Sequence, residues 1–326
     1  MTTTVVMTGG TSGFGALAAE RIAAAGDVRL LLGARRAAAA PRTGTSPDAG
    51  SAPGTAADPG SAADTEPVPL DLAELASVRA FATAVRERLG GARIDALVLN
   101  AGLIRPDADG RTADGFETTF AVNHLAHYLL LRLLLPDLAD GAFVSLTTSG
   151  THDPATGASL ALPRHADAAL LAHPDRDPGR DPRARRAGEH AYTAAKLCAV
   201  LTARALAARP EAGDRGLTVL AYDPGQVFGT GLMRDKSAPL RLAWAVLGTP
   251  VGAPLRRFGR NLNSRTGAGR CLADLALKRT TPPRGRTYAA LRRDRLGWPD
   301  PSAAARSDTL AESLWADSAG LVGLPE

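Results

Sequence analysis

The chain has 326 residues, 45% of them apolar and 4% aromatic, with a net charge of +5 and two cysteines. That apolar content fills a globular core, which excludes a disordered chain. The basic excess is scattered among acids, as in "RDPGRDPRARR" (176–186), without the clustering and interleaved aromatics of a nucleic-acid surface.

The opening "MTTTVVMTGG" has no basic n-region and no long apolar run, so it reads as a first strand, Thr4–Thr8, and not as a signal peptide. "TGGTSGFG" (8–15) follows and opens an Ala-rich helix over Phe14–Ala25. In that strand-turn-helix setting Gly9 permits a tight turn, Gly13 lets backbone approach a pyrophosphate, and Gly15 lets helix and strand pack closely. The alternative is a glycine-rich turn with no ligand. The second strand, Val28–Leu32, runs into "GARR". An acid at this position would bond the ribose 2′-OH of NAD, whereas Arg35, supported by Arg36, suits the 2′-phosphate of NADP(H). The other reading makes both solvated loop arginines.

Residues 37–67 are Ala, Pro, Gly, Ser, Thr and Asp with almost nothing large to bury, which predicts a disordered surface loop where a crossover helix would be expected. Strands follow at Val68–Leu70, Ile94–Leu99, Phe143–Leu146, Leu217–Tyr222 and Thr287–Leu291, alternating with helices at Leu75–Leu89, Gly115–Leu135, Ala191–Ala208 and Gly267–Leu277. Apolar strands alternating with helices predict an α/β fold, a doubly wound, Rossmann-type parallel sheet in one domain spanning 1–326. An insertion, 152–189, carries "ASLALPRH" and "AALLAH", enough apolar content to pack over a pocket mouth. Residues 226–265 would form a substrate lid; the stretch 240–260, apolar with basic flanks, could instead touch a membrane surface.

"AYTAAK" places Tyr192 and Lys196 on one helix face, one turn apart. An isolated Y-x-x-x-K is most often an ordinary solvated pair. His124 and His127 share a helix face but have no third ligand at zinc-type spacing, so no metal is expected. Cys198 and Cys271 have no metal spacing and fit a reduced cytoplasm.

Taken in order, these motifs resemble the short-chain dehydrogenase/reductase superfamily over nearly the whole chain. The glycine motif matches Gly9, Gly13 and Gly15; "LDL" supplies the adenine-contacting Asp71; "NAG" is Asn100, Ala101 and Gly102; "PG" is Pro224 and Gly225. "SGTHDP" (149–154), "AYTAAKLCAVL" (191–201) and "DPGQVFGTGLMRD" (223–235) are similar to the branch holding protochlorophyllide reductases, retinol dehydrogenases and bacterial ketoreductases. The resemblance implies the catalytic set Asn123, Ser149, Tyr192 and Lys196. It extends the cofactor cradle to Thr11, Ser12, Phe14, Leu72 and Thr230. Thr147 and Thr148 compete with Ser149 as the hydroxyl that polarises substrate. Lys196, about 4 Å from the phenol, would lower its pKa by roughly three units, and Asn123 would hold a water linking Lys196 to solvent. The implied partner is a small carbonyl or alcohol, with double-bond reduction or a non-catalytic dinucleotide sensor as alternatives. A homo-oligomer is compatible with the sequence.

Overall fold

Apolar runs form the strands of a sheet in which both faces are covered. The computed structural model describes residues 2–35, 64–227 and 262–325. In chain order the strands are β1 (Thr3–Thr8), β2 (Val28–Ala34), β3 (Asp64–Pro69), β4 (Ile94–Leu99), β5 (Leu138–Thr147), β6 (Thr218–Asp223), β7 (Gln226–Val227), β8 (Leu262–Asn263), β9 (Tyr288–Arg292) and β10 (Arg295–Gly297). The main sheet runs β10-β9-β6-β5-β4-β1-β2-β3, while β7 and β8 pair separately. All neighbours in the main sheet are parallel except the β9–β10 hairpin.

The helices are α1 (Gly13–Ala23), α2 (Leu75–Leu89), α3 (Thr118–Phe120), α4 (Ala126–Leu134), α5 (Ala168–Ala172), α6 (Ala184–Ala208), α7 (Pro210–Asp214), α8 (Arg265–Ala276) and α9 (Asp308–Leu321). Val5, Met7, Leu30 and Leu32 point to the α1 and α8 side. Val6 and Leu31 point to the side covered by α2, α4 and α6. Successive strand residues alternate between faces, so a strand buried on both has to be apolar throughout. The order reverses between β1 and β4, and the strand ends diverge there into a crevice.

Several expected boundaries move. The predicted loop 37–67 ends early, because 64–67 belong to β3, paired with Arg29–Leu32 of β2. Pro67 and Pro69 fit because β3 is an edge strand, with no outer neighbour needing their missing N–H. Glu66 ties the strand down through Arg29 at 2.7 Å and Arg88 at 3.6 Å. Residues 37–63 lie outside the described ones. The insertion is partly helical: α5 lies within it, and α6 starts at Ala184, ahead of the expected Ala191. Glu189, buried, pairs with Arg185 one turn back at 2.8 Å and extends the helix toward its N-terminus. Ala166, Ala168, Leu171 and Ala172 turn into the core, and nothing from 152–189 lines the crevice.

Six elements have no counterpart among the predicted ones: β7, β8, β10, α5, α7 and α9. α9 packs on α6 and α5 through Ala311, Leu314, Ser318, Ala319 and its largest anchor, Trp315. Its backbone carbonyl accepts from Tyr128 Oη at 2.8 Å, and the Arg209 guanidinium lies 3.9 Å from its ring centroid. Among the described residues, no helix is long and apolar enough to cross a membrane.

Candidate active site

The C-terminal ends of β1, β2, β4, β5 and β6 open into one cleft of about 530 Å³. Its first wall is the turn into α1, where Gly9, Thr11, Ser12, Gly13, Phe14 and Gly15 all line the cleft. Gly9 and Gly13 adopt positive φ of 69° and 61°, the left-handed region that glycine enters without penalty. A Cβ on Gly15 would fall on the Gly9 carbonyl and within 2.5 Å of Asn100 Nδ2. Ser12 caps α1 without a side-chain bond, so the first-turn N–H groups stay open toward the cleft. Such a terminus accepts an anion such as pyrophosphate.

Along the second wall, Arg35 follows β2 and Asp71 and Leu72 follow β3, all three lining the cleft. Arg35 is exposed and makes no hydrogen bond or ion pair with another described residue. Asp71 accepts from the Ala73 N–H at 3.0 Å, shaping its own turn. Arg36 and Thr230, and nearly all of the expected lid, lie outside the described residues.

The floor is Asn100, Ala101 and Gly102, held to β1 by one hydroxyl. Thr8 Oγ1 accepts from the N–H groups of Asn100 and Ala101 at 3.0 and 3.1 Å. With both lone pairs engaged, its proton is free to go to His127 Nε2, 3.0 Å away. His127 then carries its own proton on Nδ1, facing the Asn123 carbonyl at 3.3 Å. Burial, aided by the charge of Lys196, pushes His127 down to about 4 and keeps it neutral. Asn123 sits in a π turn, Ala121–Leu125, and its amide grips the Leu103 backbone with two bonds of 2.8 Å. It lies behind Gly102, not on the cleft surface.

The reacting corner joins β5 to α6. Of the three competing hydroxyls, Thr147 donates to Asn100 Oδ1 at 3.0 Å and Thr148 to the Lys196 carbonyl at 2.6 Å, so both are committed to scaffolding. Ser149 Oγ accepts from the Thr151 N–H at 3.4 Å and pulls down the pKa of the neighbouring Tyr192 hydroxyl. Lys196 Nζ donates to the Thr147 carbonyl at 2.9 Å and stands 5.8 Å from the Tyr192 ring centroid.

The expected lowering of Tyr192 by Lys196 is not found. Burial pushes the phenol up to about 12, with Ser149 pulling down and Asp223 pushing up, and it brings the Lys196 ammonium down to about 8. Lys196 aims its charge at a carbonyl instead of the phenolic oxygen, so desolvation outweighs its field.

Asp223 was not anticipated at all, although it directly precedes Pro224 and Gly225 at the cleft edge. Its partners Tyr288 and Arg292 lie some 65 to 69 positions further on, so local spacing carried no signal. Cys198 is buried and burial raises its thiol, the state of a packed residue and not a nucleophile. Among the described residues no group of three or more His, Cys, Asp or Glu is placed to hold a metal.

The buried histidines give a stability prediction. Burial lowers His124 to about 3, and His127 and His190 to about 4, from an ordinary 6.5. Their folded pKa values are depressed, so the unfolded chain takes up more protons as pH falls below 6.5. Each should contribute a loss of about 1.4 kcal/mol per pH unit until its folded value is reached. Thermal melts at pH 7, 6 and 5 should show a steep fall in Tm; a flat series would contradict the neutral assignments.

The short chain dehydrogenase family profile matches residues 3–150. Protochlorophyllide reductase A, chloroplastic, of Oryza sativa subsp. japonica is 31% identical over 98% of this chain and 80% of its own length. The chain belongs to the short-chain dehydrogenase/reductase superfamily. Another relative, Dehydrogenase/reductase SDR family member 13 of Bos taurus, is 34% identical over 78% of this chain and 58% of its own length. An uncharacterized protein from Mycobacterium Paratuberculosis, known from its crystal structure, aligns over 99% of this chain and 94% of its own, with a TM-score of 0.66 and 26% identity. This short-chain dehydrogenase/reductase therefore has relatives in more than one branch of the family.

Proposed function

We propose that this protein is an NADP(H)-dependent oxidoreductase that interconverts a ketone or aldehyde and its alcohol, working as a carbonyl reductase. The observation that carries the reading is the meeting of Ser149, Tyr192 and Lys196 at one corner of a cleft whose opposite wall is an anion-binding helix start. The nicotinamide, when bound, supplies hydride. Ser149 would orient the substrate oxygen by hydrogen bonding, and the neutral Tyr192 hydroxyl would give that oxygen its proton. A phenol held at about 12 stays protonated at neutral pH, which suits reduction. Lys196 would hold the nicotinamide ribose, and Asn123 would keep the Leu103 segment and the helix turn in place behind it.

Arg35, Asp71, Leu72 and the Gly9–Gly15 turn would hold the adenine half. Arg35→Ala removes a charge-assisted bond to a 2′-phosphate, worth about 1.5–3 kcal/mol, and should weaken NADPH binding roughly ten- to a hundred-fold while sparing NADH. Fluorescence titration with each cofactor reads this directly. Equal weakening of both would make Arg35 a structural residue.

The similarity to protochlorophyllide reductase favours a second reading, reduction of a conjugated carbon–carbon double bond. Incubating the protein with NADPH and separate panels of ketones and enones, with and without light, distinguishes the two. Light-dependent consumption confined to a tetrapyrrole or enone would replace the carbonyl reading.

A further inference from the structure

Behind the reacting corner lies an ion pair that the proposed chemistry does not use. The Asp223 carboxylate has 0% side-chain exposure. Its Oδ2 accepts from Arg292 Nη2 at 2.6 Å and from Tyr288 Oη at 3.1 Å, and its Oδ1 accepts from the Gly225 N–H at 2.8 Å. Gly150, next to Ser149, has no room for a side chain: a Cβ there would stand 2.9 Å from Asp223 Oδ2 and 3.1 Å from Arg292 Nη2. One carboxylate thus joins three segments: the turn that carries Ser149, the Pro224–Gly225 edge of the cleft, and strand β9.

Arg292 keeps 29% of its side chain exposed, but a fully buried carboxylate is a costly way to fasten a turn, since well-packed apolar side chains often serve as well or better. Retaining it beside a phenol and an ammonium makes sense if its charge acts on them. We propose that Asp223, anchored by Arg292, is a positioning residue that fixes the Ser149–Gly150 turn and Gly225 around the reacting corner and brings a fixed negative charge to it. This rests on the carbonyl-reductase reading only for the identity of the groups it acts on.

The groups facing the Tyr192–Lys196 pair are few. Ser149 faces it from the turn after β5 and Asp223 from the end of β6, with Arg292 and Tyr288 behind from β9. His127 faces it from α4 and is neutral at its low pKa. His152, beside Asp223, is held toward neutrality by burial and bonded to Ser302 at 2.9 Å. Asp223 raises the pKa of Tyr192 and of Lys196 alike. Removing its charge should therefore lower both and move both titrations toward acid.

The test compares Asp223→Asn, Arg292→Lys and Tyr288→Phe with wild type. It reads the pH profile of kcat/KM on 9,10-phenanthrenequinone and, separately, the pH dependence of the NADPH Kd. Asp223→Asn should move the alkaline limbs of both curves about one pH unit toward acid. Arg292→Lys keeps the charge and Tyr288→Phe removes only a neutral bond, so neither should move them. If Asp223→Asn does not fold, Asp223→Asn with Arg292→Gln leaves no lone buried charge and should show the same direction of shift. Unshifted curves in the carboxylate-free variants, or an equal shift in Tyr288→Phe, would reduce the pair to a structural fastening. A wild type inactive on the quinone, with an NADPH curve that still shifts in Asp223→Asn, would sink the reductase reading and leave this one standing.

Discussion

Tyr192→Phe should lower turnover of a ketone at least ~10²-fold, the usual contribution of a positioned general acid, with NADPH affinity close to that of wild type. The substitution removes one oxygen from a side chain that is 7% exposed on a helix buried along most of its length. Helix and ring packing are kept, and the Gly9–Gly15 turn is untouched, so cofactor binding has no reason to change. Ser149 loses a neighbouring hydroxyl but keeps its bond from the Thr151 N–H and remains able to bind the substrate oxygen. Single-turnover measurements with preloaded NADPH separate proton donation from binding. Turnover near wild type would remove Tyr192 from the mechanism, and would revive the reading of this chain as a dinucleotide sensor whose corner hydroxyls do no chemistry.

Gly15→Ala should cost NADPH affinity by about two orders of magnitude or more, through geometry alone. The added methyl would meet the Gly9 carbonyl and come within 2.5 Å of Asn100 Nδ2. Asn100 Nδ2 in turn donates to that carbonyl at 3.1 Å, and Asn100 Oδ1 accepts from Thr147. The strain therefore has no flexible side chain to absorb it: it passes into the turn, into the Asn100 floor and onward to β5. Overpacking of this kind costs typically about 1–3 kcal/mol of stability, and a misplacement of about 1 Å at a binding site costs about a hundred-fold. Direct NADPH titration beside a thermal melt checks both parts. An unchanged Kd would mean that the turn does not hold the cofactor.

The strands with continuous apolar runs and the Leu75–Leu89 helix were legible because their residues answer to local periodicity, and the structure places Ile94–Leu99 and Leu75–Leu89 on the predicted residues. The glycines of the first turn were equally legible, since backbone conformation there admits little else. β3 was partly hidden because an edge strand needs no apolar face on both sides, and Thr65, Glu66 and Pro67 do not look like a strand until Arg29 and β2 are beside them. α9 was hidden because its buried face is mostly small residues around Trp315, and only the docking surface on α6 makes that face a core.

At the site, the sequence by itself determined which residue types were present: Ser149, Tyr192 and Lys196, a glycine turn, Arg35 in place of an acid, and the order that marks the family. Only the tertiary structure decided how they are used. It committed Thr147 and Thr148 to the scaffold and left Ser149 against Tyr192. It aimed Lys196 at the Thr147 carbonyl, so burial and not the ammonium governs the phenol. It also brought Arg292 of β9 onto Asp223 beneath the serine turn. Proton affinity depends on desolvation and on charges within a few ångströms, and neither distance nor burial is written in spacing along a chain.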